Sequence, residues 1–376
     1  KVVIPTVGRS DYSILRNLII ESQRNKNIKS YIISAGSHHS KMFGETNDQL
    51  KKDKIKNILT IKFHYLKNNK NNTVNYFTKI LIDTNKFLSK IKPHACIIMG
   101  DRYEMLAISL ACKNLNIKII HLCGGSITKG SHDNDYRYCI SQLANLHFVE
   151  TKSHRSELVE RKINKKNILI SGAPALENIK KIKKSNKQNI LKNLKIPLNF
   201  KKIALFTYHP ETTENENKNL KNLDICLKFL KKIINKSYYV VITYPNADFG
   251  YNKIIKKLKN FTNNKNCKIF KNLGHKNYYN LLKYSKIVIG NSSSGIIECA
   301  SFKLPVINIG DRQKGRYCSW NVIHSKFNLK ELDKAFKKVE NPNFQIRLSN
   351  LKNPYDTKIM SKEILNKIYK NKIFRN

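Results

Sequence analysis

From end to end the chain alternates short, nearly continuous apolar runs with longer stretches in which apolar positions recur every three to four residues. The short runs read as strands buried on both faces and the longer ones as amphipathic helices, which together make the βα rhythm of a parallel sheet. In the first half the strand candidates are 2–7 (VVIPTV), 30–36 (SYIISAG), 60–66 (TIKFHYL), 95–101 (ACIIMGD), 117–123 (IKIIHLC), 146–150 (LHFVE) and 168–172 (ILISG). Helical patterns fill the gaps, as at 11–24 and 74–91. A stretch dense in Lys, Asn and Gln at 180–201 interrupts the rhythm and reads as a linker. The pattern restarts with 203–209, 238–245, 268–273, 286–290 and 304–310. The expected architecture is α/β, with two doubly wound Rossmann-like domains facing a cleft and ligands taken up where strand C-termini meet it. The first domain is expected over 1–180 and the second over 181–355, with a helix at 356–376 packing back on the first.

Length supports two cores: 376 residues, 40% of them hydrophobic, exceed what one core usually organises. A formal charge of +45 raises the question of nucleic acid. The lysines are spread through nearly every surface stretch, as in KNNKNN (67–72), KKIKKSNK (180–187) and KKLKN (256–260), so no basic patch forms and a nucleic-acid partner is not expected. Arginine is more informative, because its planar fork suits bidentate contacts to phosphate or carboxylate that Lys cannot copy. Five arginines, Arg9, Arg102, Arg137, Arg312 and Arg316, fall in the Gly- and Asp-rich stretches that follow strands. The eight cysteines form no CxxC pair, and most lie in apolar runs, as expected of buried thiols in a reducing compartment. No apolar run approaches the length of a membrane span, and KVVIPTV enters a strand without a signal-peptide core, so a cytoplasmic protein with no membrane insertion is expected.

The candidate chemistry sits at strand ends. Strand 286–290 runs into Asn291-Ser292-Ser293-Ser294-Gly295, a turn whose amides and hydroxyls suit an anion, with Glu298 placed to accept from ribose hydroxyls. A serine-capped helix with no ligand reads equally simply from that stretch alone. Arg312 and Arg316 follow the next strand and favour a phosphate. His209 in TYHPETT, Asn246 and Asp248 in YPNADFG, and Arg9 in GRSDY also end strands. GRSDY is not a dinucleotide fingerprint, because Gly8 stands alone. In MGDRYE, Asp101 is a general acid/base candidate and Arg102 its neighbour, although an N-cap would use the same Asp.

In order, GRSDY, GDRYE, a Gly-Gly loop, LHFVET, ISGAPALENI, HPET, PNAD, GNSSSGIIE and INIGDRQKGR resemble the hydrolysing UDP-N-acetylglucosamine 2-epimerases of the sialic-acid type, which share the GT-B architecture with the non-hydrolysing 2-epimerases. The resemblance runs nearly the whole length of the chain. It implies a UDP-sugar substrate, no cofactor and no metal, a homo-oligomer, and a C-terminal half that holds UDP. By the same resemblance His209, Ser292, Ser293, Glu298 and Arg312 would contact UDP, with Arg9 near the diphosphate. Asp101, Asp133 and His147 would surround the sugar, with Arg137 retained from the family pattern. The implied reaction breaks the bond between carbon 1 and UDP, removes the proton at carbon 2 to give a glycal, and adds water with inversion at carbon 2. The nearest variant within the class takes a UDP-2,4-diacetamido-trideoxyhexose, and the product would feed a nonulosonic acid such as sialic or legionaminic acid for surface polysaccharide.

Two departures stand out. The family loop usually reads GGE where this chain has Gly124-Gly125-Ser126, and the family's paired acids followed by Arg-His become Asp133-Asn134-Asp135-Tyr136-Arg137-Tyr138. One carboxylate implicated in proton transfer is therefore absent at 126, and losing such a group commonly lowers a rate about 10²–10⁴-fold. Either Asp133, Asp135 or His132 takes over the task, or the sugar or the reaction differs. A GT-B glycosyltransferase and a UDP-sugar-binding protein that has lost catalysis are the alternatives.

Overall fold

A computed structural model of the chain describes residues 1–39, 47–62, 70–183, 185–246, 248, 250–262 and 266–371. Two parallel sheets carry the fold. The first runs β3-β2-β1-β4-β5-β6-β7, where β1 is Val2–Thr6, β2 Ser30–Ser34, β3 Ile58–Thr60, β4 Ala95–Met99, β5 Lys118–Leu122, β6 Leu146–Val149 and β7 Ile168–Ile170. The second runs β10-β9-β8-β11-β12-β13, where β8 is Lys202–Thr207, β9 Tyr238–Thr243, β10 Cys267–Phe270, β11 Ile287–Gly290, β12 Val306–Ile309 and β13 Val322–Ser325. Each sheet winds outward one way and then reverses, between β1 and β4 in the first and between β8 and β11 in the second. The loops leaving those paired strands diverge and open a crevice at their carboxyl ends.

The strands are apolar throughout because both faces of each sheet are covered. Val2 and Ile4 of β1 join Ile97 of β4 and Leu15 and Ile19 of helix Arg9–Arg24 in one core. Val3, Cys96 and Ile98 face the other way, toward Tyr76, Ile80 and Ile108. The C-terminal helix Ser361–Lys370 lays Ile364, Leu365 and Ile368 on the first of these cores, against helix Arg9–Arg24. In the second sheet Phe206, Ile242, Ile289 and Ile307 pack beneath helices Glu216–Ile234 and Leu329–Glu340.

The chain divides into two compact units, 1–126 with 133–178 and 355–376, and 127–132 with 179–354. The short excursion 127–132 belongs to the second unit because its backbone is tied there: Lys129 N donates to Lys314 O at 2.9 Å and His132 N to Thr212 Oγ1 at 3.0 Å. Gly130 makes this packing possible, since a Cβ there would fall 2.5 Å from the Asp311 backbone.

Three features differ from the sequence reading. The stretch read as linker contains a helix, Lys187–Asn193, capped by the Asn186 side chain and anchored by buried Ile190 and Leu191. Its two apolar residues per turn are a weak signal in a lysine-rich window. Strand β13 was not anticipated, because only Val322 and Ser325 of its four residues are buried and its pattern is short. The third expected strand begins at Ile58 rather than 60, and residues 63–66 of that expectation lie outside the described residues.

Candidate active site

At the first switch point, β4 ends in Gly100, whose φ of +79° turns the chain so that Asp101 and Arg102 follow directly. Arg137, from helix Asp133–Leu143, is 1% exposed and bonds to Asp101 through Nη2 and through Nε at 3.1 Å, while Nη1 donates to the backbone oxygen of Ser126. Asp101 keeps a quarter of its side chain open. A buried guanidinium held by one partly open carboxylate fixes that carboxylate in place and favours its ionised form. The carboxylates of Asp101 and Asp133 both raise the Arg137 pKa against the opposing effect of burial, which places Asp133 in the same electrostatic neighbourhood. Arg102 donates to the buried Glu104 at 3.2 Å.

His121, on β5, is the imidazole next to Asp101 and was passed over by motif reading. Its Nε2 reaches Gly100 O at 2.8 Å and its Nδ1 meets Ser141 Oγ at 3.0 Å. Burial pushes its pKa down to about 4, so the neutral ring donates to the carbonyl and accepts from the hydroxyl. His147, expected among the catalytic groups, lies one strand further along with its ring 6.4 Å from that of His121. It is buried, and burial pushes its pKa down to about 3.

The two loop glycines have steric roles. A Cβ at Gly124 would fall 2.9 Å from His121 Nδ1 and 3.0 Å from Ser141 Oγ, and one at Gly125 would fall 2.2 Å from His154 O. Ser126 is buried, and its hydroxyl has no hydrogen-bond partner among the described residues.

At the second switch point the groups are mostly neutral. Asn291, just after β11, clasps the backbone of His209, just after β8: His209 N donates to Asn291 Oδ1 at 2.7 Å and Asn291 Nδ2 to His209 O at 2.8 Å. Asn246 N donates to His209 Nδ1 at 3.0 Å, which leaves the ring proton on Nε2. Gln313 Nε2 and Arg312 Nη1 both donate to Asn291 O, at 3.1 and 3.4 Å. Arg312 also lies 3.8 Å from Asp248, whereas Arg312 Nε and Arg316 Nε are buried donors with no acceptor among the described residues. Glu211 holds the loop that carries Arg312, accepting from Asp311 N at 2.7 Å and Arg312 N at 3.0 Å. Gln313 and Glu211 were not singled out from the sequence, and Asn291 only as the start of the serine turn, because a loop side chain bonded to backbone follows no spacing rule.

The serine turn is more specific than its sequence suggested. The helix it opens, Ser293–Ile297, is five residues long, so its dipole is small and the available donors are the individual amides and hydroxyls. Ser292 caps it. Ser294 Oγ donates to Glu298 and meets Tyr278 Oη at 2.6 Å, and Tyr279 Oη donates to Glu298 at 2.9 Å. Both oxygens of Glu298, expected to face a ribose, thus have internal donors, and burial raises its pKa. Gly295 lets the helix lie on β12, because a Cβ there would meet Val306 at 3.0 Å. The side chain of Arg9 lies outside the described residues. Among the described residues no group of three or more His, Cys, Asp or Glu is arranged to hold a metal ion, and no helix is long and apolar enough to cross a membrane.

Two doubly wound parallel sheets of GT-B type, with carboxylates and arginines at one switch point and phosphate-ready donors at the other, define a nucleotide-sugar enzyme fold. Residues 20–369 match the family described as UDP-N-acetylglucosamine 2-epimerase, and the chain belongs to that family. It is 36% identical to the GDP/UDP-N,N'-diacetylbacillosamine 2-epimerase (hydrolyzing) of Campylobacter jejuni, over 92% of this chain and 88% of that protein. It is 28% identical to the UDP-N,N'-diacetylbacillosamine 2-epimerase (hydrolyzing) of Legionella pneumophila, over 86% of this chain and 84% of that protein. The crystal structure of UDP-GlcNAc 2-epimerase from Neisseria meningitidis bound to UDP-GlcNAc shares the fold, with a TM-score of 0.82 at 20% identity over 99% of this chain and 100% of that one.

Proposed function

We propose that this enzyme is a hydrolysing 2-epimerase whose substrate is a UDP-linked 2,4-diacetamido hexose, releasing UDP and the free manno-configured sugar. The observation that carries this reading is the Asp101–Arg137 pair at the β1/β4 switch point, a carboxylate oriented by a buried cation yet partly open to a ligand. The choice of a diacetamido sugar rests on the two bacillosamine 2-epimerases to which the chain is most alike among the relatives given above.

In the proposed reaction Asp101 takes the proton from carbon 2, the freed pair forms the carbon 1–carbon 2 double bond, and UDP departs with the electrons of the bond to carbon 1. In the second unit the donors that suit a diphosphate are the Nε groups of Arg312 and Arg316, which have no acceptor among the described residues, the Nε2 proton of His209 and the amides of Ser292 and Ser293. Asn246, Asp248 and Ser294 position these groups, and Arg102 balances the carboxylates beside Asp101. Water then adds across the double bond, its hydroxyl to carbon 1 and a proton to the opposite face of carbon 2.

The test is incubation with UDP-N-acetylglucosamine and with UDP-N,N'-diacetylbacillosamine in deuterated water, followed by NMR. The expected products are UDP and a free sugar carrying deuterium at carbon 2, formed faster from the diacetamido substrate. The buried, acid-free position 126 favours one second reading, a UDP-sugar-binding protein without turnover, and binding of both substrates with release of neither UDP nor sugar would establish it.

A further inference from the structure

Epimerisation through a glycal needs two proton-moving groups, one to take the proton from carbon 2 and one to deliver a proton to the other face. Position 126 supplies neither: Ser126 is buried, its hydroxyl has no partner among the described residues and its backbone oxygen is taken by Arg137. A carboxylate that no motif explained lies at the same switch point. Asp11 stands in the first turn of helix Arg9–Arg24, which leaves β1, and β1 is hydrogen-bonded to β4, the strand that delivers Asp101. Asp11 is 8% exposed; its Oδ1 receives the Ser10 hydroxyl at 3.3 Å, the carboxyl also takes a backbone hydrogen bond at Val7, and its Oδ2 is buried with no partner among the described residues. An unsatisfied buried carboxyl oxygen is costly and demands a reason. The charged groups that act on it are Arg102, Glu104 and Asp101, with a backbone hydrogen bond at Val7.

We propose that Asp11 is the second proton-transfer carboxylate of this enzyme, standing in for the acid that residue 126 lacks. This rests on the epimerase reading above. In the proposed cycle Arg137 favours the ionised form of Asp101, and Asp11 carries its proton up to about pH 6, because burial and the neighbouring carboxylates outweigh Arg102 and raise its pKa to about 6. Asp101 takes the carbon 2 proton as UDP leaves. Asp11 then delivers its proton to the opposite face of carbon 2 while water attacks carbon 1, and the proton shed by that water restores Asp11. Asp101, open to solvent over a quarter of its side chain, returns its proton to bulk water. The sum is UDP-sugar plus water giving UDP, free sugar and one proton.

The division of labour predicts a product that a structural role would not. Asp11→Asn keeps the shape but has no proton to give, so it is expected to release UDP, to accumulate the 2-acetamidoglycal, and to form saturated sugar 10²–10⁴-fold more slowly, with UDP affinity unchanged. Saturated sugar formed within tenfold of the wild-type rate with no glycal overturns the proposal, as does an equal loss of UDP release and sugar formation. If Asp11→Asn does not fold, the wild-type enzyme decides: the glycal fraction of product is expected to rise as pH climbs above about 6, and a flat partition from pH 5 to 8 overturns the proposal. A wild-type enzyme that releases neither UDP nor sugar from either nucleotide sugar would sink the epimerase reading, and this inference with it. With an active wild type, the outcomes bear on Asp11 alone.

Discussion

The two sheets make the same topological reversal, yet the groups gathered at each are of different kinds. After β1 and β4 come Asp11, Asp101, Arg102 and Glu104, with Arg137 buried against them and His121 beneath. After β8 and β11 come His209, Asn291 and Ser292, joined chiefly by neutral hydrogen bonds, with arginine donors left unmatched. The first arrangement holds groups whose charge can change, as moving protons demands. The second joins amide dipoles and the guanidinium groups of Arg312 and Arg316 to carboxylates that are mostly tied to internal donors, and in the proposed reaction its donors meet the leaving diphosphate. One fold rule supplies two crevices, and side-chain chemistry gives each its task.

Acid should break this symmetry most strongly. In the first unit burial pushes the imidazoles of His38, His121 and His147 down to about 3, 4 and 3. Their folded pKa values lie below that of an unfolded His, so their contribution is fully present above about 6.5 and is lost as pH falls toward the folded values. At pH 5 each forgoes roughly 2 kcal/mol, and protonation of Asp11, whose pKa is raised, returns about 1 kcal/mol, so the first unit is expected to lose about 4–5 kcal/mol. In the second unit burial raises Glu211 and Glu298, which works the opposite way: their folded forms take up protons more readily, and acidification relieves them. Hydrogen exchange at pH 5 is expected to show strands β1, β4, β5 and β6 opening well before β8, β9, β11 and β12. Simultaneous opening would contradict the distinction.

Removing a charge partner should come next. Asp101→Ala takes from Arg137, 1% exposed, the carboxylate that receives its Nε and Nη2. An uncompensated buried charge of this kind costs about 3–5 kcal/mol, measurable by urea unfolding, and turnover should vanish while UDP affinity stays. In the second unit Asn291→Ala removes two buried bonds to the His209 backbone and leaves both groups unmet, a loss of about 2–4 kcal/mol. Here UDP affinity, followed by calorimetry, should fall at least tenfold, the reverse of the Asp101 variant.

How much of this contrast the sequence disclosed differs between fold and site. Strands such as 95–99 and 238–243 are continuous apolar runs between turn residues, so their existence was legible, and ordered motifs placed Asp101, His209 and Arg312 at strand ends. The helix at 187–193 and strand β13 were hidden because each buries only part of a short segment. Asp11 lies within GRSDY but was not singled out there; its burial and an Oδ2 without a partner among the described residues distinguish it. Asn291 and Glu211 are likewise invisible until the loops they tie have been placed, since an amide or a carboxylate bonded to a backbone leaves no periodic trace.

The smallest effect tests whether burial, and not the mere presence of opposite charges, underlies the Asp101–Arg137 result. Lys232 and Asp333 form an ion pair at 2.6 Å in the second unit, with 49% and 40% of their side chains exposed. Water already solvates both, salt screens them, and holding two long side chains together has an entropic cost. Lys232→Ala is therefore expected to change stability by no more than about 0.5 kcal/mol and to leave turnover and UDP affinity untouched, by the same urea and calorimetric measurements. A loss comparable to that of Asp101→Ala would mean that charge pairing of any kind holds this lysine-rich chain together, and the special standing of the buried pair would have to be given up.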